Sequence, residues 1–238
     1  MAKKVAPPYE AKDVVYSKEH WDLLNSLRRR ALEVIEALSA DGIESRVYGS
    51  LARGDVNEKS DIDIVIPETI DSFRVEEAIM RGGFRFEARE LTQATPVHTL
   101  KATIYLDPTL KVTFPLIPMR GKEREFYRFG GELDHSEISM GKRVPGIDKR
   151  LMLIIPTEQG HLERSVLSYE AEAAKTVGVH LETVLERVRV LRRRDNVGRT
   201  GIFFKRHLSD DETFEGVLNE RLSSDPSLRR LIQQRSKG

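Results

Sequence analysis

From residue 18 to residue 40 the apolar positions return every three or four residues. Trp21, Leu24, Leu27, Leu32, Ile35 and Leu38 fall roughly on one face, which predicts a helix that Asp41-Gly42 ends. The pattern then changes. Residues 43–48 (IESRVY) read as a short strand, and Gly49–Asp55 as a small-residue turn running into a short helix. Asp61–Ile66 (DIDIVI) alternates acids with apolar side chains, which predicts a strand with one wet and one buried face. Residues 71–81 read as a helix, and 84–92, 98–106 and 110–117 as strands. Asp107-Pro108 is a turn signal, and Pro115 suits an edge or a strand end. Residues 120–148 mix glycine and charge and show no clear period. Residues 151–155 (LMLII) read as a strand returning to the first domain, and Pro156 as a boundary. Helical periodicity follows, with 162–169 as a lead-in helix, then a short β-like stretch, then charged helices over 209–238 that pack on the second module. Residues 1–16 read as a loosely held polar arm. This organisation divides the chain into 1–156 and 157–238.

Composition narrows the class. The chain has 238 residues, 39% hydrophobic and 32% charged, enough for one large domain or two small ones. The net charge of +1 leaves any polyanion site to local clustering. The absence of cysteine excludes disulfides, thiolate metal sites and cysteine nucleophiles. No apolar run suits a membrane helix and the N-terminus has no signal-peptide core, so the expected location is the cytoplasm, with no membrane partner.

The chemistry-bearing residues lie between 49 and 63. Two carboxylates at i and i+2 on a strand project from the same face and can share a hard divalent cation, while Ile62, Ile64 and Ile66 anchor the other face. Asp61 and Asp63 meet this condition. Gly49-Ser50, opening into Leu51-Ala52-Arg53, suits a phosphate cradle. The glycine lets backbone approach, the helix start presents N–H groups and the Ser50 hydroxyl adds a donor. Arg53 is a further candidate phosphate contact, or else pairs with a nearby acid.

The segment VYGSLARGDVNEKSDIDIVIP resembles the DNA polymerase β-like nucleotidyltransferases, whose signature joins a Gly-Ser turn, a short helix and an Asp-x-Asp strand. The resemblance implies an α+β fold, a mixed sheet with helices on one face. It also implies transfer of a nucleoside monophosphate from a nucleoside triphosphate to an acceptor hydroxyl, with Mg2+ or Mn2+ on Asp61 and Asp63 and the nucleotide on Gly49, Ser50 and Arg53. A third carboxylate is implied on the strand 110–117, where Thr113 stands in its place. Either Glu87, Glu90 or Asp107 enters the site instead, or the protein is a catalytically weak nucleotide-binding regulator. An antitoxin-like role, as in minimal nucleotidyltransferases, is a third reading.

Glu170–Leu191 resembles the helix-turn-helix of a winged-helix domain, mainly helical, with Ala174 at the crossing, Gly178 at the turn and Val184, Val188 and Leu191 pinning the second helix. The basic stretch through Arg192, Arg193, Arg194 and Arg199 into Lys205 and Arg206 then reads as a wing. With Arg187 and Arg189 it makes residues 160–208 a candidate DNA or RNA contact through phosphates, Arg193 and Arg199 first. The alternatives are a solvated helix face or a protein-contacting module. His98, His161 and His180 lack metal spacing and read as structural. Gly141–Gly146, with Lys142 and Arg143, reads as a connector rather than a triphosphate clamp.

Overall fold

The computed structural model describes Val5, residues 11–198 and residues 201–235. Strand β1 (Lys12–Val15) precedes helix α1 (Lys18–Ala40). Helix α1 follows from its period: Leu24, Arg28, Ala31, Ile35 and Leu38 are buried along one stripe. The chain leaves the helix at Gly42 (φ 71°), where Ile43 N–H donates to the Leu38 carbonyl at 3.0 Å. There follow β2 (Arg46–Tyr48), α2 (Ser50–Arg53), β3 (Ile62–Val65), α3 (Ser72–Arg81), β4 (Ala88–Gln93), β5 (Leu100–Tyr105) and β6 (Leu110–Pro115), in the order the sequence predicts. The stretch without a period resolves into α4 (Gly121–Gly130), β7 (Glu132–Asp134), α5 (His135–Ser139) and β8 (Gly146–Ile147). Then come β9 (Met152–Thr157), β10 (Gly160–Ser165), α6 (Glu170–Val177), α7 (Leu181–Val197), β11 (Phe204–His207), α8 (Phe214–Ser224) and α9 (Pro226–Arg235). The fold is α+β.

Two compact units interleave along the chain. The first takes residues through Leu32, Val47–Ser60 and Arg124–Thr200; the second takes Glu33–Arg46, Asp61–Glu123 and the chain from Gly201. A division at Pro156 does not describe this arrangement. Pro156 lies inside β9, opposite His161 of β10.

In the second unit five strands are adjacent in the order β11-β4-β5-β6-β3. The run is mixed: β3 pairs with β6 in parallel, and the other pairs are antiparallel. Alternation sorts its faces. Ile62, Ile64, Leu91, Ala102, Ile104, Val112 and Phe114 are buried on one side. Asp63, Lys111, Thr113, Thr103, Tyr105 and Glu90 project on the other. The tail belongs to this unit, not to a second module. Phe214 of α8 meets Phe114 edge-on at 5.7 Å between ring centroids, and Glu215 accepts hydrogen bonds from Ser72 N and Oγ at 2.7 and 2.6 Å.

In the first unit a four-stranded antiparallel sheet runs β1-β10-β9-β8, and β2 pairs with β7. The N-terminal arm is thus partly a strand, Lys12–Val15. The lead-in helix expected over 162–169 is largely strand β10, because the hairpin partner β9 offers it a ladder that a local pattern does not reveal. Phe129, Ile147, Leu153 and Val166 share a core with Ala173, Ala174, Val184, Val188 and Leu191 of the helix pair α6–α7. Gly146 approaches backbone so closely that a Cβ there would lie 2.4 Å from the Gly130 carbonyl oxygen. Helix α6 is closed by Gly178 (φ 68°), ahead of α7. The stretch read as a wing is not one: Phe204–His207 is an edge strand paired with β4 in the second unit.

Candidate nucleotide site

The Gly-Ser turn is held from several sides within the first unit. Gly49 takes φ 80°, a conformation that L side chains rarely adopt, and its N–H donates to the Gly131 carbonyl at 2.9 Å. Within α2 the Ala52 and Arg53 amides donate to the Gly49 carbonyl, each at 3.1 Å. Ser50 Oγ lies 3.5 Å from Ser60 Oγ. The carbonyl end of α2 is gripped by Arg28 of α1, whose Nε and Nη2 donate to Leu51 O at 3.0 and 2.7 Å. His20 Nε2 contacts Gly54 O at 2.7 Å. Burial lowers the Arg28 pKa to about 10. Sequence reasoning missed Arg28 because it sits in a run of arginines. Its signal was position: it is four residues after Leu24 and three before Ala31, on the apolar stripe.

Arg53 has partners within the first unit. It is buried, its Nη1 donates to Gly130 O at 2.7 Å and its Nη2 to Asp55 at 2.9 Å. Its guanidinium ties the turn to the chain at residue 130, the pairing alternative the sequence allowed.

In the second unit, exposed Asp61 stands one residue ahead of β3, and half-buried Asp63 stands within it. The parallel register sets Asp63 beside Lys111 and Val65 beside Thr113. Lys111 Nζ lies 2.9 Å from Asp63 Oδ1, an ion pair. Burial works against the ammonium's charge, but Asp63 and then Asp61 outweigh it, and the Lys111 pKa lies above its usual value. Thr113 shares the face of Asp63 but stands two residues further along, its Oγ1 3.2 Å from Thr103 Oγ1. Level with Asp63, the position facing the carboxylates carries Lys111.

The acids considered as substitutes stand elsewhere. Glu90 is on β4, three strands from β3, about 14 Å away at a strand spacing of about 4.8 Å. There it pairs with Lys205 Nζ at 2.7 Å. Glu87 is exposed beside the start of that strand. Asp107 Oδ1 closes the β5–β6 turn, accepting from Thr109 N, Thr109 Oγ1 and Leu110 N. Among the described residues no three or more His, Cys, Asp or Glu side chains are grouped to hold a metal ion. Two carboxylates and an ammonium do not fit a pair of divalent cations.

The histidines have structural partners: His98 with Thr95, His161 with Tyr16, and His180 with Glu125. In the connector, Arg143 donates to Gly160 O at 2.7 Å and its guanidinium lies 4.7 Å from the Trp21 ring centroid. Of the basic cluster, half-buried Arg187 lies over the Phe126 ring, and Arg206 pairs with Glu212 and Glu220. Arg189, Arg192, Arg193 and Arg194 are exposed on α7, and Arg199 lies outside the described residues.

The Gly-Ser turn of the first unit and the Asp-x-Asp strand of the second are, in sequence, the two halves of the polymerase β-like nucleotidyltransferase motif. Residues 28–105 match the family model of the nucleotidyltransferase domain, about a third of the chain, and this segment is such a domain. Comparison with curated proteins and with solved structures returned no match. The domain's general chemistry is nucleotidyl transfer from a nucleoside triphosphate, and domains of this kind generally use divalent metals. No helix among the described residues is long and apolar enough to cross a membrane.

Proposed function

We propose that this chain binds a nucleoside triphosphate and transfers nucleotide slowly, acting chiefly as a nucleotide-binding regulator. The observation that carries this reading is the Lys111 ammonium against Asp63, at the register position facing the Asp-x-Asp carboxylates. The Gly49-Ser50 turn and the Asp-x-Asp strand support nucleotide binding, since they are the parts of the family motif that meet phosphate and cation. One lysine supplies a fixed positive charge for a triphosphate, but it does not align attacking and leaving oxygens as paired metal ions do. Equilibrium dialysis of the full chain with the four common nucleoside triphosphates should therefore show binding. In magnesium, Asp63→Asn should remove whatever gain the metal gives this binding, while circular dichroism stays unchanged. Equal affinity in mutant and parent would remove Asp63 from the site. Pyrophosphate release at about 1 per second or faster would overturn slow transfer.

The fuller transferase reading passes a nucleoside monophosphate to an acceptor hydroxyl, with magnesium or manganese on Asp61 and Asp63. The family match and the spacing of the two acids favour it. It requires the Lys111–Asp63 contact to open.

Nucleic-acid contact by residues 160–208 rests on the exposed Arg189, Arg192, Arg193 and Arg194 of α7. Phosphate contacts release condensed counterions, so affinity for short DNA or RNA duplexes should fall steeply with salt. Arg193→Ala should reduce the salt slope by about 1. No binding at low salt, or a slope untouched by the change, would leave α7 an architectural or protein-contacting helix.

A further inference from the structure

The second unit places an ammonium where the two carboxylates of the Asp-x-Asp strand face their neighbour. The placement is built by the ladder. Strand β6 runs parallel to β3, with Asp63 opposite Lys111 and Ile64 opposite Val112, so Lys111 emerges on the carboxylate side of the sheet. Its stem crosses toward β3 and its Nζ rests 2.9 Å from the inner oxygen of Asp63. Both side chains are about three-quarters withdrawn from solvent, at 29% and 25% exposure, which limits screening of the pair. Lys111 is thus the cationic neighbour of the inner oxygen of Asp63.

We propose that the Lys111 ammonium is the resident cation of this site, and that a nucleoside triphosphate binds it without any divalent metal. The inference rests on the triphosphate-binding reading above. An ammonium carries three N–H donors, and the contact with Asp63 leaves donors for phosphate oxygens. Carboxylate, ammonium and phosphate then stand in the order in which carboxylate, metal and phosphate would stand. The substitution lowers the local positive charge from two to one but requires no dehydration of a small divalent ion. It also separates binding from chemistry, because one lysine holds the triphosphate without drawing an attacking oxygen into line.

The test is binding of ATP and of inorganic triphosphate to the full chain, in EDTA and in magnesium. Wild type should bind in EDTA with an affinity within about threefold of that in magnesium, since the principal cation is part of the chain. Lys111→Met should weaken binding in EDTA by at least about tenfold and leave the remainder magnesium-dependent. Lys111→Arg, which keeps the charge, should retain binding in EDTA and guards against a folding defect in the methionine variant. Binding by wild type in magnesium alone would overturn the proposal while leaving the triphosphate-binding reading intact. Equal affinity of wild type and a folded Lys111→Met in EDTA would overturn it as well. No binding under either condition would remove the triphosphate-binding reading itself, and the resident-cation role with it.

Discussion

Arg235→Met is expected to lower the stability of the second unit by about 3–5 kcal/mol, the usual cost of breaking one side of a buried ion pair. Arg235 near the end of α9 and Glu123 in α4 form such a pair at 2.8 Å, with side chains 5% and 9% exposed. The guanidinium also donates to Pro118 O at 2.6 Å and Val97 O at 2.8 Å. It thereby ties the last described helix to the loops that flank β5 and β6. Glu123 accepts in addition from Thr99 N and Oγ1 and from Arg120 N. Removing the arginine leaves a buried carboxylate facing three donors and no cation. Urea unfolding of the full chain measures the effect, and a loss below about 1 kcal/mol, the range of an exposed pair, would contradict it. Burial works to raise the Glu123 pKa, but the hydrogen bonds from Arg235, Arg120 and Thr99 outweigh it and hold the group below the ordinary value of 4.5. The folded form therefore prefers the charged carboxylate. Its contribution is full above the ordinary value and is lost as pH falls through the depressed one, so the wild-type advantage over Glu123→Gln should shrink in acid.

Lys111→Asp is expected to raise affinity for Mn2+ by about a hundredfold, by removing one positive charge and adding one negative charge beside Asp61 and Asp63. Three carboxylates would then face one another at neighbouring positions of β3 and β6, a donor set suited to a hard divalent cation. Electron paramagnetic resonance of free Mn2+ reads this directly, and it separates the two accounts of the site. If Lys111 is the resident cation, wild type takes up manganese weakly and the variant strongly. Wild type binding manganese as tightly as the variant would show that Lys111 yields its place freely, and would favour the metal-dependent transferase. Thr113→Asp should do less, because Thr113 stands level with Val65 and not with Asp63.

Much of the domain was legible in the chain. Helix α1, the Gly49–Arg53 turn, the Asp-x-Asp strand and the strands to Pro115 follow from local periods and glycine positions. Those features are set by backbone sterics and by the burial of one face, which neighbouring residues report. The nucleotidyltransferase class followed from the same segment, because its motif is contiguous. The missing third acid was legible too, since residues 110–117 contain none.

Tertiary structure decided what depends on distant pairing. That Lys111 rather than Thr113 stands beside Asp63 is a matter of register between two parallel strands, and no property of either strand alone sets the offset. Arg28 went unread and Arg53 read as a phosphate contact or an acid's partner; both are buried because carbonyls of α2 and Gly130 lie where their guanidiniums end. Residues 162–165 became strand, and the expected wing became an edge of another sheet. In each case a ladder partner, β9 or β4, supplied hydrogen bonds that outweighed the local pattern. The interleaving of the two units has the same origin. Sequence order reports which residues are near along the chain, whereas burial and strand pairing reward those that are near in space.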